Sequence, residues 1–261
     1  MSATTKIFED WYAGNTRFTH SITEYKGQEE YAITDDKEVV RLHFGLKGNY
    51  DLSFTSLGRG YALIGGHYNL LYAVPFEMTF RNSTSMIETF GIQYPASDFL
   101  LYTRDMGAAV RWFANKVRKR EASLFSNTWG SIDSNVQRTI HQLLHCPFRE
   151  DLRSLYFQYK SMELLLVCIN AYHEHGSKSS LYLLHPGDKE KIIAARDLIS
   201  ERLDTPPSFR EIASAVGLNE YKLKTGFRQL FGTTPFKYQP TPGTRKTIPP
   251  GNRQAGRGDR L

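Results

Sequence analysis

The sequence predicts an α+β fold: an N-terminal antiparallel β barrel or sandwich followed by helices, then a truncated all-α helix-turn-helix domain. Three observations carry this expectation. From Glu38 apolar and polar residues alternate, and short strand-like runs recur between Gly, Pro and Asn-Ser punctuation. From Phe99 the apolar period lengthens to that of helices and persists, with breaks, to His175. Finally Ser208 to Tyr238, SFREIASAVGLNEYKLKTGFRQLFGTTPFKY, reads as a helix, a tight turn and a second helix.

In chain order, residues 1 to 35 give no clear pattern. Val40, Leu42, Phe44 and Leu46 then alternate with Arg41, His43 and Gly45, the period of a half-buried strand. Gly48-Asn49 reads as a turn into Tyr50, Leu52 and Phe54, which predicts a hairpin. Further strands are expected at Tyr68 to Val74, Phe76 to Phe80 and Met86 to Tyr94. Phe44, Tyr50, Tyr61, Tyr68, Tyr72 and Phe90 are candidate pocket walls, although aromatics are also ordinary core. His43 and His67, with Glu77, lack the clustered spacing of a metal site and read as satisfied or exposed side chains, so no metal is expected.

Ser97 or Asp98 can cap a helix starting near Phe99, and the basic run Lys116, Arg118, Lys119 and Arg120 reads as a solvated helix end. The longest helix is expected from Asp151 to His173. There Leu152, Leu155, Tyr159, Met162, Leu166 and Ile169 alternate spacings of three and four, a seam that suits either a homodimer or packing on the chain's own barrel. Cys146 and Cys168 make neither a disulfide framework nor a zinc pattern. Asn82-Ser83-Thr84 reads as a chance sequon. No signal peptide or membrane-length apolar run is evident, which leaves a cytoplasmic chain with no membrane partner as the default.

Ser208 and Glu211 stand three apart as a capping box, and Ile212, Ala213 and Val216 supply an apolar stripe that ends at Gly217. Asn219 is a second N-cap. Leu223, Phe227 and Leu230 or Phe231 then turn one way, which leaves Tyr221, Lys224, Thr225 and Arg228 on the opposite face, and these four together with Lys222 are the candidate DNA-binding residues. Two cations, a hydroxyl and an aromatic on one helix face can neutralise phosphates and reach base edges. The charge distribution agrees: residues 186 to 261 hold 14 Lys and Arg against 8 Asp and Glu, whereas the first 185 hold 19 of each. A neutral front and a basic back suit a sensing domain joined to one that binds a polyanion.

The stretch GLNEYKLKTGFRQLFGTTPFKY resembles the first helix-turn-helix of the AraC/XylS transcription regulators, nearest to the PchR-like, siderophore-responsive branch. The likeness extends upstream through Asp188, Ile192, Ala195, Arg196, Leu198 and Pro206-Pro207. It implies that Tyr221, Lys224 and Thr225 hold base-facing positions and Arg228 a backbone-facing one. Gly226 departs from the bulky residue of most of the family but is similar to this branch. VRLHFGLKG and LRSLYFQYKSMELLLVCINAY also resemble PchR-like regulators, which implies a cupin-like effector-binding barrel. The implied effector is a small molecule, with a ferric siderophore as the lead from that branch.

The expected organisation is 1-176 for effector binding and dimerisation, 186-238 for a partial AraC-type DNA-binding domain, and 239-261 for a disordered basic tail. Pro240, Pro242, Pro249 and Pro250 stand where the family's linker helix should run, so the second helix-turn-helix is missing; a shifted reading frame after Tyr238 would account for this. The expected function is an effector-responsive, operator-binding transcription regulator with weakened DNA affinity. The alternative is a truncated interaction module that heterodimerises with intact regulators and blunts their DNA binding. A cupin-type enzyme ranks last, because no phosphate loop, nucleophile elbow or paired zinc-histidine motif is present.

Overall fold

Charged residues on neighbouring strands pair across the first hairpin, and that pairing builds structure where hydropathy gave no signal. The computed structural model describes residues 4–176, 186–202, 207–231 and 234–235. Strands β1 (Thr4–Ala13), β2 (Thr16–Glu24) and β3 (Glu30–Asp35) occupy the stretch that gives no clear pattern in sequence. β1 and β2 are antiparallel, and Lys6 meets Glu24 while Asp10 meets Arg17 through two hydrogen bonds. Cross-strand ion pairs thus stand where alternating apolar residues were sought.

Strands β4 (Val39–Lys47), β5 (Asn49–Phe54), β6 (Arg59–Ile64), β7 (His67–Tyr72), β8 (Phe76–Asn82) and β9 (Met86–Pro95) follow, and short β10 (Ser123–Leu124) and β11 (Gly130–Ser131) come later. They form two antiparallel sheets. One runs β1-β2-β9-β4-β7-β10 with β11 also on β7, and the other runs β3-β8-β5-β6. The expected β4–β5 hairpin does not form: β4 pairs with β7 and β9, and β5 with β6 and β8. Between them Gly48, at φ +82°, carries the chain from one sheet to the other. A Cβ there would stand 2.1 Å from the Met86 carbonyl oxygen. Gly48→Ala is therefore expected to lower stability by about 2–3 kcal/mol, from strained φ and a backbone collision together. A denaturant midpoint equal to wild type would refute this.

The larger sheet is covered on both faces. Val40, Leu42, Phe44, Tyr68, Leu70, Tyr72, Phe90, Ile92 and Tyr94 point to the helices, whereas Tyr50, Leu52, Phe54, Leu71, Phe76 and Phe80 fill the space between the sheets. Of the six candidate pocket aromatics, only Tyr50 and Tyr61 therefore belong to the inter-sheet side. Arg41 also turns that way, bonded to Asp35 and lying 4.1 Å from the centre of the Phe76 ring. Asn82 is buried and donates to the Gly27 and Thr84 carbonyls, which makes it a loop anchor.

On the larger sheet His20 of β2 lies between Glu9 of β1 (3.1 Å) and Glu88 of β9 (3.2 Å), and Lys47 sits 3.0 Å from Glu88. Burial disfavours the imidazolium, but the two carboxylates outweigh it and raise the pKa of His20. Burial likewise works against the Glu88 carboxylate, while His20 and Lys47 outweigh it and lower its pKa. The His20 contribution is complete below its unfolded pKa, about 6.5, and fades as pH rises through the raised value; the Glu88 contribution is complete above about 4.3 and fades below it. The Tm difference between wild type and His20→Gln should thus be larger at about pH 5.5 than at pH 8.5. An equal difference at both would remove the linkage.

Helices α1 (Ala96–Tyr102), α2 (Ala108–Arg118), α3 (Ser134–Leu144) and α4 (Glu150–Gly176) pack on the large sheet. Pro95, not Ser97 or Asp98, precedes α1, and no side chain caps it. The basic run at the end of α2 is partly tied, Lys116 to Glu121 and Arg120 to Glu38. Tyr94 and Tyr68 donate to the Ser161 and Cys168 carbonyls, which fixes α4 to the sheet. Both cysteines are free, and Cys168 is buried. No helix among the described residues is long and apolar enough to cross a membrane. The expected basic tail, 239-261, lies outside the described residues.

Candidate nucleic-acid interface

The basic back of the chain folds around α5 (Pro186–Glu201), α6 (Phe209–Ala215) and α7 (Glu220–Phe231). Its core joins Ile192, Ile193, Ala195 and Ile199 of α5 to Ile212 and Ala213 of α6, Leu218, and Leu223 and Phe227 of α7. The capping box at the start of α6 is complete. Ser208 N donates to Glu211 Oε2 at 2.7 Å and Ser208 Oγ accepts from Glu211 N at 3.3 Å, which also holds the Glu211 carboxyl below its usual pKa.

Gly217 supplies the turn at φ +64°, a conformation cheap only for glycine, and Leu218 N returns to the Ala213 carbonyl at 2.9 Å. Asn219 Oδ1 then accepts from Lys222 N at 2.7 Å, so both N-caps and the turn lie at their sequence-assigned positions. Two caps and one left-handed glycine fix how α7 leaves α6. Tertiary packing fixes which way α7 faces.

Leu223 and Phe227 are fully buried, and Tyr221, Lys224 and Arg228 are exposed with Thr225 half-buried. Tyr221, Lys224, Thr225 and Arg228 recur at three and four residues, so they share one face, opposite the core. No hydrogen-bond or ion-pair partner engages Lys224 or Arg228 among the described residues. Lys222 differs: its Nζ lies 2.9 Å from Asp188 Oδ2 and ties the start of α7 to the first turn of α5. Nothing in the local spacing signals this contact, because its partner is 34 residues upstream.

The three-helix unit also touches the sheets. Arg196 of α5 is bonded to Asp197 and donates to the Gly65 carbonyl at 3.5 Å, in the turn between β6 and β7, and Ile64 packs against the α5–α7 core. From that turn β6 and β7 lead into the inter-sheet space. His43 Nε2 there lies 2.9 Å from the Tyr50 hydroxyl, and its ring meets Trp129 edge-on. Burial pushes the His43 imidazole down to about 4, so the ring is neutral at pH 7. His67 is bonded to the Ile64 carbonyl at 2.6 Å. Trp129 Nε1 and Asn69 Oδ1 are buried with no hydrogen-bond partner, a donor and an acceptor that sequence reasoning did not single out. No three His, Cys, Asp or Glu side chains come together as metal ligands among the described residues.

Residues 18–183 match the family model described as the regulatory protein PchR N-terminal domain. The chain is similar to the regulatory protein PchR of Pseudomonas aeruginosa, 34% identical over 103 residues that cover 40% of this chain and 35% of that protein. It thus spans about a third of the length of the curated relative it matches. Among solved structures it is similar to the AraC-like transcriptional activator CuxR, at 10% identity and a TM-score of 0.40, covering 85% of this chain and 73% of that one. Apo ToxT of Vibrio cholerae gives 11% identity and a TM-score of 0.38, covering 85% and 96%. The family model spans more than half of the chain, from the second strand past the end of α4, and on that match the chain belongs to the regulatory protein PchR N-terminal domain family.

Proposed function

We propose that this chain is an effector-responsive, sequence-specific DNA-binding transcription regulator that reads a duplex with α7. One observation carries the reading: Tyr221, Lys224, Thr225 and Arg228 are turned out together by the burial of Leu223 and Phe227. Such a face enters a major groove, where the two cations neutralise phosphates and Tyr221, nearest the helix N-terminus, approaches base edges. Lys222 keeps the helix seated through Asp188. One recognition helix buries only about 600–1,000 Å², so a single copy binds modestly and two copies reading two half-sites bind better.

The effector reading rests on the space between the sheets. A small molecule there that accepts from Trp129 Nε1 and donates to Asn69 Oδ1 would relieve two otherwise costly buried groups. Asn69 lies on β7 and Tyr61 on β6, and the turn between these strands holds Arg196. Occupancy would therefore bear on α5 and, through the shared core, on the presentation of α7. Residues 1-176 serve as the sensing part and 186-238 as the DNA-binding part.

The test is selection from a pool of random duplexes with the full chain. A short enriched motif is expected. No enrichment over the input pool, or equal enrichment by a Tyr221→Ala, Lys224→Ala, Arg228→Ala variant, would overturn the reading.

A further inference from the structure

A cleft of about 480 Å³ opens between the edge strand β1, the end of α3 and the first turns of α4. It lies on the helix side of the larger sheet, away from the inter-sheet space, because Trp11, which lines it, packs against the helix-side core. Trp11 stacks on Phe18 at 5.5 Å and meets Phe157 at 5.6 Å, and Leu143 and Leu144 extend the apolar wall. The Trp11 ring is half-buried, yet its Nε1 is shielded from solvent and has no acceptor. An indole donor left in that state costs free energy that an acceptor in the cleft would return.

Two opposite charges stand on the rim. Glu150 and Arg153 both line the cleft, one turn apart on α4, and both are exposed. No ion pair joins them to each other or to any other side chain among the described residues; Arg153 only lies over the Phe157 ring, at 5.8 Å. The other two acids of the lining are already matched, Glu9 with His20 at 3.1 Å and Asp10 with Arg17 at 2.7 Å. The cleft therefore offers a ligand one carboxylate, one guanidinium and one indole N–H beside an apolar wall.

We propose that this cleft binds a free α-amino acid with an apolar or aromatic side chain. Residues three apart on a helix are surface neighbours, so Glu150 and Arg153 present opposite charges side by side, as an α-amino acid does. The α-carboxylate pairs with the Arg153 guanidinium, whose fork suits it, and accepts from Trp11 Nε1. The α-ammonium pairs with Glu150. The side chain rests on Phe157, Leu143 and Leu144, where an aromatic ring also finds ring partners. A simple acid would leave Glu150 opposed and a simple amine would leave Arg153 opposed, while a residue inside a peptide carries neither charge. A ligand of about a dozen non-hydrogen atoms binds such a site with a Kd of about 0.1–1 mM.

Nuclear magnetic resonance of the isotope-labelled full chain tests this, since its three tryptophans give separate indole N–H signals. Trp11→Phe identifies the Trp11 signal by its loss. L-phenylalanine or L-leucine, added to about 10 mM, should move that signal in a saturable way. Hydrocinnamate, which lacks the ammonium, phenethylamine, which lacks the carboxylate, and N-acetyl-L-phenylalanine amide, which lacks both charges, should bind at least about tenfold more weakly. Arg153→Gln and Glu150→Gln should each weaken the amino acid by a similar factor and, being at exposed positions, keep the fold. Arg149→Gln, outside the lining, should leave its Kd unchanged.

A Trp11 signal that neither amino acid moves, equal binding of hydrocinnamate or of the blocked amide, or indifference to both rim variants each overturns the proposal. So does a shift of the Trp129 signal alone, which would put the amino acid between the sheets. The effector reading of the inter-sheet space and the α7–DNA contact use other residues, and both stand if this cleft proves empty.

Discussion

Exchanging Lys224 and Arg228 together for alanine is expected to weaken binding to the selected duplex about 100-fold near 150 mM salt. On the proposed reading each side chain would make one charged hydrogen bond to phosphate, worth about 1.5 kcal/mol, and the pair together would account for about two decades in Kd. The salt dependence identifies the cause. With two fewer phosphates neutralised, the slope of log K against log salt should fall by about 1.8. Tyr221→Ala should instead change the enriched motif and leave that slope alone, since base edges carry sequence and phosphates carry charge. Neither cation supports the core, so the double variant keeps its fold. Weak binding with an unchanged slope would mean that the charges act elsewhere on the chain. Lys222→Ala should behave differently again: it removes an exposed ion pair to Asp188, costs at most about 1 kcal/mol of stability, and affects binding only by loosening α7.

The face tested by these variants is legible in the sequence because everything that forms it is local. Ser208 reaches Glu211, Asn219 reaches Lys222, and the burial of Leu223 and Phe227 follows from a four-residue step. The tether of Lys222 is illegible for the converse reason, its partner Asp188 being on another helix.

The sheets repeat the contrast. Alternation locates β4 and β5 and divides their faces correctly, but pairing is non-local, and the hairpin expected at Gly48-Asn49 is a crossing between sheets. Likewise, parity puts Phe44, Tyr68 and Phe90 on one side of the sheet, and only the packing of α1–α4 makes that side the helix core rather than a pocket. β1 and β2 have no hydropathic signature because Lys6–Glu24, Asp10–Arg17 and Glu9–His20 pair across them, and paired charges have no hydropathic period. The orphaned groups of Trp129 and Asn69 have no sequence signal at all: an unsatisfied atom is defined by what surrounds it.

Phe227→Ala should unfold the three-helix unit and spare the sheets. Phe227 is fully buried where α5, α6 and α7 meet, against a core of small and β-branched residues, Ile192, Ala195, Ile212 and Ala213, that cannot collapse into the space it leaves. Truncating such a phenylalanine costs about 3–5 kcal/mol. A unit of this size has little more than that to lose, at roughly 0.05–0.15 kcal/mol per residue. Among the described residues the unit meets the sheets through Arg196 and Ile64, so its unfolding need not carry the large sheet with it. Hydrogen exchange is the discriminating measurement. Amides of α5, α6 and α7 should lose protection while those of β4, β7 and β9 keep theirs, and DNA binding should vanish with the helical protection. Uniform loss across both parts would show that the chain folds as one cooperative block, and retained helical protection would show that Phe227 is not the residue that turns Lys224 and Arg228 outward.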